Sequence, residues 1–258
     1  MVSWIERREF PLNRESLDGL LANHIPAVRI RGFATIAECA AFAAAMRHGR
    51  IKSYGVETPI NYIGMAQYEF RWGTAKRDYF DAVAAANADR DQVFQASFDP
   101  MRRLIERTSS VWPQRVAVAE DSGRPYFAGI IRFASAGIAL HADYAPFNMP
   151  GYSVDAIDSQ LAWNLFVEAP TAGGVTTIYN TPWSPKMEPG QPPQSYGLNA
   201  RDVAGAETFT YEPAVGDVVI FNGRNPHEVS PGSDGGPGRL QIGSFIGRMP
   251  DRTLVLFS

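Results

Sequence analysis

The chain has 258 residues and a formal net charge of −3, with 24 basic side chains against 27 acidic ones, so it lacks the basic excess of a general nucleic-acid binder. Its one cysteine, Cys39, excludes an internal disulfide and a thiolate metal cluster, which leaves any metal to oxygen ligands and the four histidines. No apolar run approaches the roughly 20 residues of a membrane span. The opening MVSWIERREF carries charges where a signal peptide is apolar. The expectation is a cytoplasmic protein whose partner is a small molecule, with neither membrane nor nucleic-acid polymer involved; a homodimer is left open.

Residues 27–33, AVRIRGF, alternate as a short strand. From about 35 to 112 the pattern is mostly helical. Thr35 followed by Glu38 forms a capping box for AECAAFAAAMRH, which stops at Gly49. A second helix is expected from near Thr74 through residue 95. A third, over 99–112, has Pro100 at an early position and sets Met101, Leu104, Ile105 and Thr108 along one face. The aromatic stretch 61–72 falls between helices, where a lid would lie.

From Tyr126 onward the helical period disappears. Nine short β-type runs follow, at 126–133, 137–143, 160–168, 174–180, 207–213, 217–223, 226–230, 240–248 and 253–257. Turn residues separate them, at the spacing of a sandwich or barrel. The Pro-rich 184–197 reads as a surface loop. The expected fold is mainly β with α: a β core over 126–258, supported by a mostly helical 1–125 that also shapes the pocket, in one domain spanning 1–258.

Of the four histidines, His24 sits in a polar turn and His48 in a last helical turn, where the helix dipole alone favours it. His141 and His227 differ. His141-Ala142-Asp143 ends a strand-like run, and residues i and i+2 of a strand share a face. His227 follows the tight turn 222–226 and opens the next strand. Two histidines and one carboxylate on different strands match the facial triad of non-haem Fe(II) enzymes, which leaves coordination positions open. Arg239, one strand further on, suits bidentate capture of a carboxylate, as the far end of 2-oxoglutarate requires.

These residues, with DSQLAWNLFVEAPTAGGVTTIYNTPWSP (158–185), the stretch 213–248 and the closing DRTLVLFS, resemble the Fe(II)/2-oxoglutarate-dependent dioxygenases with a double-stranded β-helix (jelly-roll) core. Within them the chain is most similar to the small-molecule hydroxylase and halogenase group of the welwitindolinone halogenase and N-succinyl-leucine hydroxylase. The similarity covers about the last 130 residues well and the N-terminal 120 loosely. It implies His141, Asp143 and His227 as iron ligands, Arg239 as the 2-oxoglutarate clamp, Thr176 as a secondary cosubstrate contact, and O2 as co-substrate. Halogenases of this group carry Gly or Ala in place of the carboxylate, so Asp143 favours hydroxylation of an unactivated C–H bond over chlorination. An amino acid, an N-substituted amino acid or another specialised metabolite is the expected substrate. The same cofactors also serve desaturation, epimerisation and ring formation. A cupin-like binding protein is the non-catalytic alternative, and a buried cation at Arg239 speaks against it.

Further residues weigh as follows. Asn164, mid-strand in an apolar run, either faces the metal cavity as a cofactor contact or satisfies a neighbouring strand, with Trp163 then turned into the core between sheets. Tyr144 and Phe147 directly follow the metal motif and are candidate pocket walls. Tyr62 and Arg71, from the aromatic stretch, are candidate substrate contacts, although packing is the commoner role for such a tyrosine and a solvated face for a lone arginine. Arg132 and Asp217 read as structural.

Overall fold

Strand alternation sorts the side chains of the C-terminal half onto two facing sheets. The computed structural model describes residues 3–53, 60–70, 75–184, 187, 197–233 and 238–258. Ile130–Phe133, Ser159–Glu168, Val218–Asn222 and Leu240–Arg248 lie in a large sheet, and Ile138–His141, Thr176–Tyr179, Thr208–Tyr211 and His227–Val229 form a small one. In the large sheet Leu240–Arg248 lies between Ile130–Phe133 and Ser159–Glu168, and Ser159–Glu168 also pairs with Val218–Asn222. The chain thus winds from sheet to sheet as a double-stranded β-helix, all of these pairs being antiparallel. The ninth expected strand, Leu254–Phe257, extends Leu240–Arg248 on its edge.

The long strand Ser159–Glu168 shows how the layers assemble. Leu161, Trp163, Leu165 and Val167 join one apolar cluster with Leu17, Leu20, Phe42 and Met46, whereas Ala162 and Phe166 join Ile178, Tyr211 and Phe221 between the sheets. Trp163 therefore corrects the expectation: it packs outward against the helical layer, with its indole N–H donating to Ser244 Oγ at 2.7 Å. The inter-sheet face belongs to Asn164 and its period-2 neighbours.

The three expected helices are Ile36–Arg47, Lys76–Gln95 and Pro100–Ser109. The Thr35/Glu38 capping box forms, and Asp99 accepts from the Arg102 N–H at 2.9 Å to cap the third. Two helices had no expectation: the single turn Ala145–Asn148, and Arg14–Leu21, capped by Asn13 with Ser16 rather than by a Glu-containing box. The N-terminal part is also less purely helical than its sequence suggests. Glu9–Phe10, Ala27–Ile30, Lys52–Ser53, Asn61–Ile63 and Val116–Val118 all join the large sheet. The stretch 61–72 accordingly opens with a strand paired to Ile130–Phe133, not a loop between helices. No helix among the described residues is long and apolar enough to cross a membrane.

Candidate active site

His141 and His227 sit directly opposite each other on adjacent strands of the small sheet, with ring centroids 4.2 Å apart. Asp143 lies just past the end of its strand, where its N–H donates to Gly223 O at 2.9 Å. Gly223 in turn donates to Gln160 O at 3.1 Å, so the turn preceding His227 ties the small sheet to the large one. The result brings three side chains that are distant in sequence to one point. Asp143 Oδ2 is 3.8 Å from His141 Nε2 and 3.6 Å from His227 Nε2, and the three ligand atoms all lie within 4.8 Å of one another. Among the described residues no other cluster of this kind occurs.

Backbone carbonyls fix the imidazoles. His141 Nδ1 is 2.7 Å from Ala139 O and His227 Nδ1 is 2.9 Å from Asn225 O, so each Nδ1 carries the proton and donates it. That leaves both Nε2 lone pairs directed at the common point, the tautomer a metal requires. Burial, reinforced by the neighbouring His141, lowers the His227 pKa to about 3 and keeps the ring neutral. A neutral imidazole is the ligand form.

A second feature lies deeper. Arg239 is 2% exposed, and its Nη2 donates to Thr176 Oγ1 at a long 3.4 Å. Its Nε and Nη1 are buried without an acceptor, and no carboxylate pairs with it among the described residues. Phe166 lies beneath the guanidinium at 5.1 Å, and the buried Tyr211 lies alongside. Burial lowers the Arg239 pKa to about 10, with Tyr211 opposing that shift and Arg132 adding to it. A buried cation with orphaned donors is an incomplete arrangement that an anion completes. The distal carboxylate of a small oxoacid fits it, and the triad fits a divalent metal with N and O donors.

One cavity of about 150 Å³ joins the triad, Arg239 and Thr176. Asn164 lines it as well, beside Gly243. Only glycine fits at 243: a Cβ there would stand 2.4 Å from Trp163 O and 2.7 Å from Asn164 Oδ1. Three of the substrate candidates lie outside the lining. Tyr144 and Phe147 pack on Trp183, at 5.6 and 4.7 Å between ring centroids, and Arg224 covers the Tyr144 ring. Tyr62 is 3% exposed and its hydroxyl donates to Glu69. Arg71 falls outside the described residues. Asp217 is structural, accepting from Arg29 at 3.1 Å.

Several lining residues had no site reading in the sequence, among them Tyr211, Gln241 and Arg132, the last of which read as structural and instead faces the cavity. Gln241, two residues beyond Arg239 and flanked by Leu240 and Ile242, carried a period-2 signal for the same face. Arg132 carried none, because its place follows from strand pairing across more than 100 residues.

A family model described as carrier-protein-independent halogenase WelO5 matches residues 5–257. The leucinostatins biosynthesis cluster protein S of Purpureocillium lilacinum is 32% identical over 199 residues, 74% of this chain and 81% of that protein. The L-gamma-glutamyl-L-propargylglycine hydroxylase of Streptantibioticus cattleyicolor is 30% identical over 257 residues, 95% of this chain and 92% of that one. Among solved structures, an N-substituted L-amino acid dioxygenase from Burkholderia ambifaria, in complex with alpha-KG, superposes with a TM-score of 0.62 at 13% identity, covering 95% of this chain and 91% of that one. That likeness concerns the fold.

Proposed function

The chain belongs to the family of the carrier-protein-independent halogenase WelO5, and from that premise we propose that it is an Fe(II)- and 2-oxoglutarate-dependent hydroxylase of a small molecule, acting on an amino acid, an N-substituted amino acid or a related metabolite. One observation carries the choice of hydroxylation within a family named for halogenation. Asp143 places a carboxylate oxygen within 4 Å of both imidazole Nε2 atoms, where it supplies the third ligand.

His141, Asp143 and His227 would hold the iron, and Arg239 with Thr176 would hold the distal carboxylate of 2-oxoglutarate. The bound metal and cosubstrate supply O2 activation and cleavage of an unactivated C–H bond, giving hydroxylated product, succinate and carbon dioxide from substrate, O2 and 2-oxoglutarate. The protein supplies the rest. Ala139 O and Asn225 O lock the tautomers. The Gly223 carbonyl fixes the backbone of Asp143. Burial keeps the Arg239 charge away from bulk water, where it attracts a carboxylate more strongly.

Two measurements test this reading. Anaerobic addition of Fe(II) and 2-oxoglutarate should give the weak visible charge-transfer band of the chelate. Succinate release should be stimulated by an amino-acid derivative that gains the mass of one oxygen atom. A native protein showing neither the band nor succinate release has been misassigned, and a product that loses hydrogen without gaining oxygen points to desaturation or ring formation instead.

A further inference from the structure

The cavity holds one more cation than the cosubstrate uses. Arg132 lines it from Ile130–Phe133, half-buried, and no residue among those described hydrogen-bonds or ion-pairs with its guanidinium. Asp143 is the only acidic residue among the described ones that line the cavity, and it serves the metal point. Among the described side chains, none is therefore paired with this second cation.

Gln241 is the cross-strand partner of Arg132. Directly paired residues of an antiparallel ladder leave the same face, so the two side chains enter the cavity together. Gln241 is 3% exposed, and its Oε1 is buried without a donor. A buried amide left half-paired carries a desolvation cost that a ligand's N–H can remove. 2-Oxoglutarate does not fit this pair. It has two carboxylates, which the metal and Arg239 account for, and it has no N–H to offer. What fits is an acid with an amide N–H adjacent to its carboxylate.

We propose that Arg132 and Gln241 form a second carboxylate site in the cavity, which takes the α-carboxylate and neighbouring amide N–H of an N-acylated amino acid or dipeptide as the substrate. Arg132 and Gln241 are then specificity-determining residues: the guanidinium receives the carboxylate, and Gln241 Oε1 accepts from the amide N–H. A free amino acid would set an ammonium beside the Arg132 guanidinium, and a neutral metabolite offers no carboxylate, so both satisfy the pair less well. The inference rests on the oxygenase reading above for the word substrate, whereas the anion site itself stands on the cavity.

Calorimetric titration of the Fe(II)-loaded protein under anaerobic conditions tests it. The probes are N-succinyl-L-leucine, γ-L-glutamyl-L-leucine, the C-terminal amides of both, and 2-oxoglutarate. The wild type should bind the acids in preference to the amides. Arg132→Gln should weaken the acids roughly 10- to 100-fold, the loss of a charge-assisted contact, and abolish the preference over the amides. Gln241→Glu places an anion beside Arg132, so it should abolish acid binding while raising the thermal midpoint. Its higher midpoint separates a filled site from a misfolded one. If every acid fails to bind the wild type, or Arg132→Gln binds acids as the wild type does, the proposal is overturned. If Arg132→Gln weakens 2-oxoglutarate instead, the carboxylate there is the cosubstrate's, and the substrate assignment is overturned. Loss of 2-oxoglutarate binding in Arg239→Gln reports separately on the oxygenase reading, so the two failures remain distinguishable.

Discussion

At the scale of single residues, Asp143 and Arg239 make opposite demands on the chemistry. Asp143 adds an anion to two imidazoles, whereas Arg239 is a cation whose Nε and Nη1 have no acceptor. On the proposed reading Asp143 is the third ligand, so Asp143→Gly should sharply lower hydroxylation. With chloride present, mass spectrometry of the product should show whether a halide now reaches the metal. Unchanged hydroxylation with unaltered iron affinity would count against Asp143 as a ligand. Arg239→Met removes a buried charge that the apoprotein does not pair. Melting curves should therefore show an apoprotein no less stable than the wild type, because a buried unpaired ion is costly. The same variant should lose the stabilisation conferred by 2-oxoglutarate, about 2.7 kcal/mol at a hundredfold excess over Kd. A preserved ligand-induced shift would remove Arg239 from the cosubstrate site.

Among the elements, the helix Ile36–Arg47 shows how a local signal and a tertiary contact share one side chain. Glu38 closes the capping box with Thr35 and also accepts from Arg103 Nη2 at 2.6 Å, on the helix Pro100–Ser109. The Arg103 hydrogen bond, followed by the Thr35 N–H, lowers the Glu38 pKa to about 2. The folded value lies below the ordinary carboxylate value of 4.5, so the ionised form stabilises the fold. This contribution is complete above pH 4.5 and is lost as the pH falls toward 2. Glu38→Gln should cost about 1 kcal/mol at neutral pH. It should also flatten that acid limb, which urea titrations across the window would reveal. The cap was legible because Thr35 and Glu38 are three residues apart. The Arg103 contact was not, since it depends on how two helices meet. The helix Arg14–Leu21 escaped notice for a related reason: it has only eight residues, and its cap uses Ser16 where a glutamate is the usual marker.

For the whole molecule, the main question is whether 1–125 and 126–258 fold as one unit, as the sequence suggests. Ala27–Ile30 pairs with Val218–Asn222, Asn61–Ile63 with Ile130–Phe133, and Val116–Val118 with Leu254–Phe257. The N-terminal helices cover the outer face of the same sheet through Leu17, Leu20, Phe42 and Leu104. Neither part can bury its apolar face without the other, so urea unfolding should be one cooperative transition. Tryptophan fluorescence and far-UV circular dichroism should then give coincident curves. Two separated transitions would show that the helical part is an independent domain.

The sequence by itself determined what short-range order can encode: the nine β runs, three helices with the Thr35/Glu38 cap of the first, and the His141-x-Asp143 pair on one strand-like segment. Each depends on a period of two or 3.6 residues or on a cap three residues long, so neighbouring side chains carry the signal. Tertiary structure decided the rest. Cross-strand register set His141 opposite His227, turned Trp163 toward the helices rather than between the sheets, and placed Arg132 beside Gln241 in the cavity. Register follows from which apolar faces can be buried together, a property of pairs more than 80 residues apart that no local pattern records.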